Sequence, residues 1–103
     1  MDTRTARKYE RQAAVIKVLA HPSRLYIADR LAEHEHCVNE LTTLISRNMS
    51  TVSRHLSVLK NAGVVRDDKR GASICYPLRI PCILSFFKCA DAVIEAIQKE
   101  HDT

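Results

Sequence analysis

Apolar residues recur at helical spacing along most of this chain, and the pattern breaks in one place. From Thr3 to Leu19 the first half is polar. Ala13, Val15, Ile16, Val18 and Leu19 then supply an apolar surface, which predicts a first helix. Pro22 suits the first position of a second helix running to about Glu33, with Leu25, Ile27, Ala28, Leu31 and Ala32 as its inner stripe. Leu41, Leu44 and Ile45 predict a short third helix over Glu40 to Ile45. Met49, Val52, Leu56 and Leu59 share one face of a fourth, from Asn48 to Ala62. Ser46, Arg47 and Asn48 would make the turn between these two. The helical period fails after Gly63, which suits a left-handed helix cap. Val64-Val65-Arg66 and Ala72 to Pro77 are β-prone runs around a charged tip from Asp67 to Gly71, a pattern that predicts a hairpin. A fifth helix follows from Pro81 to about His101. Its apolar face of Ile83, Leu84, Phe86, Phe87, Ala90, Val93, Ile94 and Ile97 is wider than one neighbour needs.

Composition narrows the class. The 103 residues make one domain, and with Gly 2 and Pro 3 the chain is mainly α with short connections. Aromatics are 5% of residues, so aliphatic side chains carry the core. A net charge of +4 favours a polyanionic partner. No apolar run is long enough to span a bilayer, so no membrane partner is expected. The opening MDTRTARKYERQ is polar and mixed in charge, unlike a signal peptide. Four cysteines without an export signal point to a reducing cytoplasm, where free thiols, ligands or redox switches are expected rather than structural disulfides.

The polar side of the fourth helix carries Ser50, Thr51, Ser53, Arg54, His55, Ser57 and Lys60 and no carboxylate. Hydroxyls and arginine bond phosphates, and arginine can fork onto guanine, so this side suits the major groove of double-stranded DNA. An ordinary surface helix is the rival reading, but such helices usually mix Glu with Lys. Ser50, Thr51, Ser53, Arg54, His55 and Lys60 are the candidate contacts. Ser50 could instead cap the helix, and His55 could instead pack against the hairpin. In the hairpin, Arg66, Lys69 and Arg70 are placed for phosphate or the minor groove, while Asp67 and Asp68 shape the turn. Arg24 is either solvated or a further phosphate contact.

A basic hairpin directly after such a helix is the wing of a winged helix-turn-helix, here with five helices and the wing between the fourth and fifth. The segments HPSRLYIADRL, EHCVNEL and TVSRHLSVLKNAGVV, with the hairpin ending in Tyr76, resemble the ArsR/SmtB family of metal-responsive bacterial repressors. The resemblance covers roughly residues 14 to 100. It implies a homodimer whose interface is formed by the terminal helices 3–19 and 81–101, bound to a near-palindromic operator and needing no cofactor for DNA binding. In that family a Cys-Val-Cys-Asp-Leu motif opens the third helix. This chain has Cys37-Val38-Asn39-Glu40-Leu41, with Asn39 in place of the second thiol. Zinc sites on the family's last helix start Asp-x-His, but here Asp91 is followed by Val93, so zinc is demoted.

Soft thiol ligands favour arsenite, antimonite or another thiophilic ion as inducer. Cys82 and Cys89 lie seven residues apart on one helix, about 10 Å along its axis. Two sulfurs that far apart cannot share one ion. A metal site therefore requires Cys37, Cys82 and Cys89 together, or the partner subunit. Cys75, between Ile74 and Tyr76, is expected to be only a strand residue. The alternatives are the same scaffold switched by cysteine oxidation or persulfidation, and a protein-binding winged helix without DNA binding. A third is a small zinc hydrolase built on the run Glu33-His34-Glu35-His36-Cys37, but no catalytic motif accompanies it, so the chain is not expected to be an enzyme.

Overall fold

Helices begin where a side chain can take up the free N–H groups of the first turn. Asp2 accepts from Thr5 N at 2.7 Å, His21 Nδ1 from Ser23 N at 3.1 Å and Asn48 Oδ1 from Thr51 N at 2.8 Å. These caps open α1 (Thr3–Leu19), α2 (Pro22–Glu33) and α4 (Met49–Asn61). Before α3 (Val38–Ile45), the Glu40 carboxylate reaches back to Cys37 N at 3.2 Å. The cap of α4 is thus Asn48, and Ser50 lies inside the helix. In this computed structural model, which describes residues 1–45 and 47–102, Ser46 of the expected turn lies outside the described residues.

The described residues form five helices and a three-stranded antiparallel sheet. The last helix, α5, spans Ile83–His101 and starts later than Pro81. Pro81 and Cys82 instead form a tight turn, with Ile83 N donating to the Ile80 carbonyl at 3.0 Å and Ser85 N to that of Cys82 at 3.1 Å.

The core lies between α2, α3, α4 and the root of the hairpin. Ile27, Leu31, Leu41, Val52, Leu56, Leu59, Val64 and Val65 are buried together, and Val15, Val18 and Leu19 of α1 pack against them. Val64 and Val65, expected in the first hairpin strand, are core residues at its root. Val65 bridges to Leu78, and Arg66 N donates to the Pro77 carbonyl at 3.2 Å. The wing strands are β2 (Asp68–Arg70) and β3 (Ser73–Tyr76), so the turn contracts to Gly71-Ala72, with Gly71 at φ 62°.

One strand was not expected. His36 and Cys37 form β1, which pairs with β3 in the order β1-β3-β2 and brings Cys37 opposite Cys75. The two cysteines are disulfide-bonded. Two expectations change: Cys75 is more than a strand residue, and a pair of the four cysteines is joined across the sheet. Alternation along β3 did turn Cys75 to the face opposite Ile74 and Tyr76, and its register partner Cys37 shares that face from β1, an element too short to show a period.

The terminal helices extend beyond this body. Phe86 is 62%, Val93 58% and Ile94 54% exposed, and Ile16 of α1 is 63% exposed. The principal extents of 51 × 44 × 21 Å reflect these two arms. No helix among the described residues is long and apolar enough to cross a membrane.

Two substitutions separate core from cap. Leu56→Ala, at a fully buried site, should cost about 2–5 kcal/mol. Asn48→Ala should cost about 1 kcal/mol, and Asn48→Asp much less. Urea denaturation at fixed protein concentration measures both; equal losses would mean α4 is not seated by its apolar stripe.

Candidate nucleic-acid interface

The apolar stripe of Val52, Leu56 and Leu59 turns the opposite side of α4 outward. Ser50, Arg54, Ser57 and Lys60 are exposed, and Thr51, Ser53 and His55 are half-buried. Arg66, Lys69 and Arg70 are exposed on the wing. All the candidate DNA contacts are thus at or near the surface on α4 and the wing, but their charges are not equally free.

Carboxylates that sequence spacing did not connect to them engage two of the cations. Lys60 Nζ lies 2.9 Å from Asp67 Oδ2, and this hydrogen bond holds the Asp67 carboxyl below its ordinary value of 3.8. Arg70 donates to Asp68 at 3.1 Å and forms an ion pair with Glu35. The Asp68 hydrogen bond and the Glu35 charge hold its guanidinium in the charged form. Asp67 and Asp68 therefore do more than shape a turn. Exposed pairs of this kind are weak and can exchange for phosphate, but they offset positive potential until they do. Arg24 is committed to structure, its Nε donating to the Val18 carbonyl at 2.6 Å near the end of α1. Arg54, Arg66 and Lys69 have no such carboxylate partner among the described residues.

His55, a candidate DNA contact with packing on the wing as its alternative, packs instead against α2. Its ring sits 4.7 Å, centroid to centroid, from that of His21, the cap of α2. Its Nδ1 is buried and has no hydrogen-bond partner among the described residues. Burial, then the His21, Arg24, Arg54 and Arg47 charges, hold its pKa below the ordinary 6.5. Arg47, given no role beyond the turn, is exposed and joins this positive surface. A basic residue directly before a recognition helix was the available signal.

The metal candidates do not converge. Cys37 is bonded to Cys75, whereas Cys82 and Cys89 are exposed free thiols on another element. Among the described residues no group of three or more His, Cys, Asp or Glu could hold a metal ion. The polar run before α3 is likewise spent. Glu35 pairs with Arg70, His36 is buried with Nδ1 2.9 Å from the His34 carbonyl, and the two imidazoles stack at 4.1 Å. Within one chain the expected group of Cys37, Cys82 and Cys89 is not brought together among the described residues, since β1 carries Cys37 into the sheet, bonded to Cys75.

Comparisons with known proteins agree with this layout. Residues 21–67 match the family described as bacterial regulatory protein, arsR family. The chain is 32% identical over 90 residues to the uncharacterized HTH-type transcriptional regulator Rv0081 of Mycobacterium tuberculosis, covering 86% of this chain and 79% of that protein. Its crystal structure matches with a TM-score of 0.79 at 30% identity, over 92% of this chain and 96% of that one. The solution structure of the homodimeric winged helix-turn-helix DNA-binding domain of Mb0332 from Mycobacterium bovis matches with a TM-score of 0.81 at 28% identity, over 100% and 95% of the two chains. The AntR antimony-specific transcriptional repressor matches at 0.77 and 26% identity, over 96% and 90%.

The lowered His55 pKa sets a pH dependence of folding. The unfolded chain takes up a proton near pH 6.5 while the folded chain resists it. Stability is then full above about pH 6.5 and falls as pH drops toward the folded value. Thermal melts from pH 7.5 to 5 should show this fall, and His55→Gln should flatten it; an unchanged slope would place the titration elsewhere.

Proposed function

The chain belongs to the ArsR family of bacterial regulatory proteins, a winged helix-turn-helix transcriptional regulator and not an enzyme, and from that premise we propose that it is a cytoplasmic homodimeric repressor released from its operator through its cysteines. The observation that carries the DNA-binding half is the carboxylate-free outer side of α4 beside a wing bearing Arg66 and Lys69. Ser50, Thr51, Ser53 and Arg54 enter the major groove, Arg66 and Lys69 hold phosphates, and His55 steadies α4 against His21. Lys60 and Arg70 reach phosphate only by leaving Asp67 and Glu35 or Asp68.

Dimerisation covers the terminal helices. The uncovered Phe86, Val93, Ile94 and Ile97 of α5 and Ile16 of α1 supply an apolar surface that a second copy buries. The homodimeric state of the Mb0332 domain supports this arrangement. Two-fold symmetry sets two copies of α4 about one DNA turn apart over a near-palindromic site. An inducer that binds one spacing of the two helices better than another lowers operator affinity by that difference.

Arsenite or antimonite remains the favoured inducer, and the likeness to an antimony-specific repressor supports a soft metalloid. Since Cys37 pairs with Cys75, and Cys82 and Cys89 of one helix stand too far apart to share an ion, the site is completed across the dimer, from one of these two thiols and those of the partner subunit. Switching by oxidation or persulfidation is the second reading, and the exposed free thiols Cys82 and Cys89 support it.

Arg54→Ala should weaken binding to a duplex selected from a random pool by about 1–3 kcal/mol with the dimer intact. Arg66→Ala should lower the salt slope of binding by about 1, and Lys60→Ala by less. Fluorescence anisotropy at several salt concentrations measures this. No salt-sensitive duplex binding at all would instead favour a protein-binding winged helix.

Arsenite should release the reduced dimer from that duplex, and Cys82→Ser or Cys89→Ser should prevent release while Cys75→Ala does not. Release only by an oxidant would move the mechanism to the second reading. Release by neither reagent would remove the cysteines from it.

A further inference from the structure

We propose that Cys37 and Cys75 are a redox-modified pair that fastens the wing to the helix-turn-helix, and that small-molecule disulfides are the reagents that close it. The inference rests on the DNA-binding reading above and adds a site on the sheet, apart from the exposed thiols of α5.

Three observations place the site. First, β1 and β3 are paired in register at only two positions, His36 with Tyr76 and Cys37 with Cys75. Second, β1 runs directly into α3, the first helix of the helix-turn-helix, while β3 is the strand by which the wing returns to the core. A bond at this register therefore joins the wing to the scaffold that holds α4. Third, the other links across this edge are slight: a two-residue ladder and the exposed Arg70–Glu35 ion pair. Exposed ion pairs hold little. The root of the hairpin is tied independently, to the core through Val65, Tyr76 and Leu78 and to α4 through the Lys60–Asp67 ion pair.

Accessibility assigns the order of events. Cys75 is 3% exposed, whereas Cys37 is half-buried. A small disulfide therefore meets Cys37 first. The Cys37 thiolate attacks one of its sulfurs, forms a mixed disulfide and expels one small thiolate. The Cys75 thiolate then attacks the Cys37 sulfur, closes the cross-strand bond and expels the second. The two protein thiols lose two electrons and two protons, and the reagent leaves as two small thiols.

Closure acts on DNA binding through preorganisation. Arg66 and Lys69 ride on the wing, and Arg54 rides on α4. With the pair closed, the three cations sit at one fixed spacing. With it open, the outer wing moves against α3, and ordering it opposes binding. The closed form is the higher-affinity form, so this pair tightens repression while an inducer at α5 relieves it.

The test uses the full chain carrying Cys82→Ser and Cys89→Ser, so that only this pair reacts. It is reduced with a dithiol or oxidised with glutathione disulfide. Intact mass should show loss of two hydrogens with no retained glutathione. Cys75→Ala should retain glutathione on Cys37, and Cys37→Ser should retain none. Amide exchange over residues 68–76 should slow on oxidation. Affinity for the selected duplex should rise about three- to tenfold, and Cys37→Ser should bind equally under both conditions. Retained glutathione in place of closure, or closure with unchanged exchange and affinity, overturns the proposal. If neither form binds duplex, the DNA-binding reading fails, while mass and exchange still decide whether the pair closes and holds the wing.

Discussion

The burial of Val52, Leu56 and Leu59 against Ile27, Leu31, Leu41, Val64 and Val65 is the contact on which the rest of this molecule depends. A helix has one rotational setting at which such a stripe is fully inside, so seating those three side chains also fixes where Ser50, Arg54 and Ser57 point. The same core takes up Val64 and Val65, which ties the wing root to the recognition helix. Interior packing here does the work of aiming a surface, because neither α4 nor a two-strand hairpin is stable alone.

Electrostatics then divides that surface. A raw count of positive residues overstates its potential, since Asp67 sits on Lys60, and Glu35 and Asp68 sit on Arg70. In the proposed DNA complex these contacts also serve as selectivity. A polyanion must displace three carboxylate contacts before the outer cations are released to it, and a rival ligand with one weak charge gains nothing by doing so. His55 contributes by its neutrality. It lies among His21, Arg24, Arg54 and Arg47, and a further positive charge there would push the α2 cap and α4 apart.

The helices were legible because their signals are local. Pro22 with the Leu25, Ile27 and Leu31 stripe, and the Val52, Leu56 and Leu59 stripe, each lie within one element, and the structure sets α2 at Pro22–Glu33 and α4 at Met49–Asn61 as the periodicity required. What escaped is non-local. β1 has two residues, too few to show alternation, yet it decides the fate of Cys37 and Cys75. The wing slipped for a related reason: Val64 and Val65 read as strand by propensity, but the core claimed them, and the ladder formed further along, from Asp68. The Lys60–Asp67 and Arg70–Glu35 pairs join residues from different elements, and no spacing rule for a single helix or strand reports them.

The terminal helices follow from the same division of labour. In α1, Arg4, Arg7, Lys8 and Arg11 recur at helical spacing on the side that continues, one turn later, as Val15 and Val18 in the core. The second half of that side is apolar and packs. The first half is basic, so the helix cannot lie along its own core for its full length and projects from it. On the apolar side of α5, Phe86, Val93, Ile94 and Ile97 are uncovered in the same way, while Phe87 and Ala90 are half-buried. A chain this short cannot bury both arms on one small core. In the proposed dimer they are therefore the material of the interface, and the body they leave behind carries α4 and the wing as one unit. Any event that changes how the arms pack moves the two recognition helices relative to each other without disturbing either core.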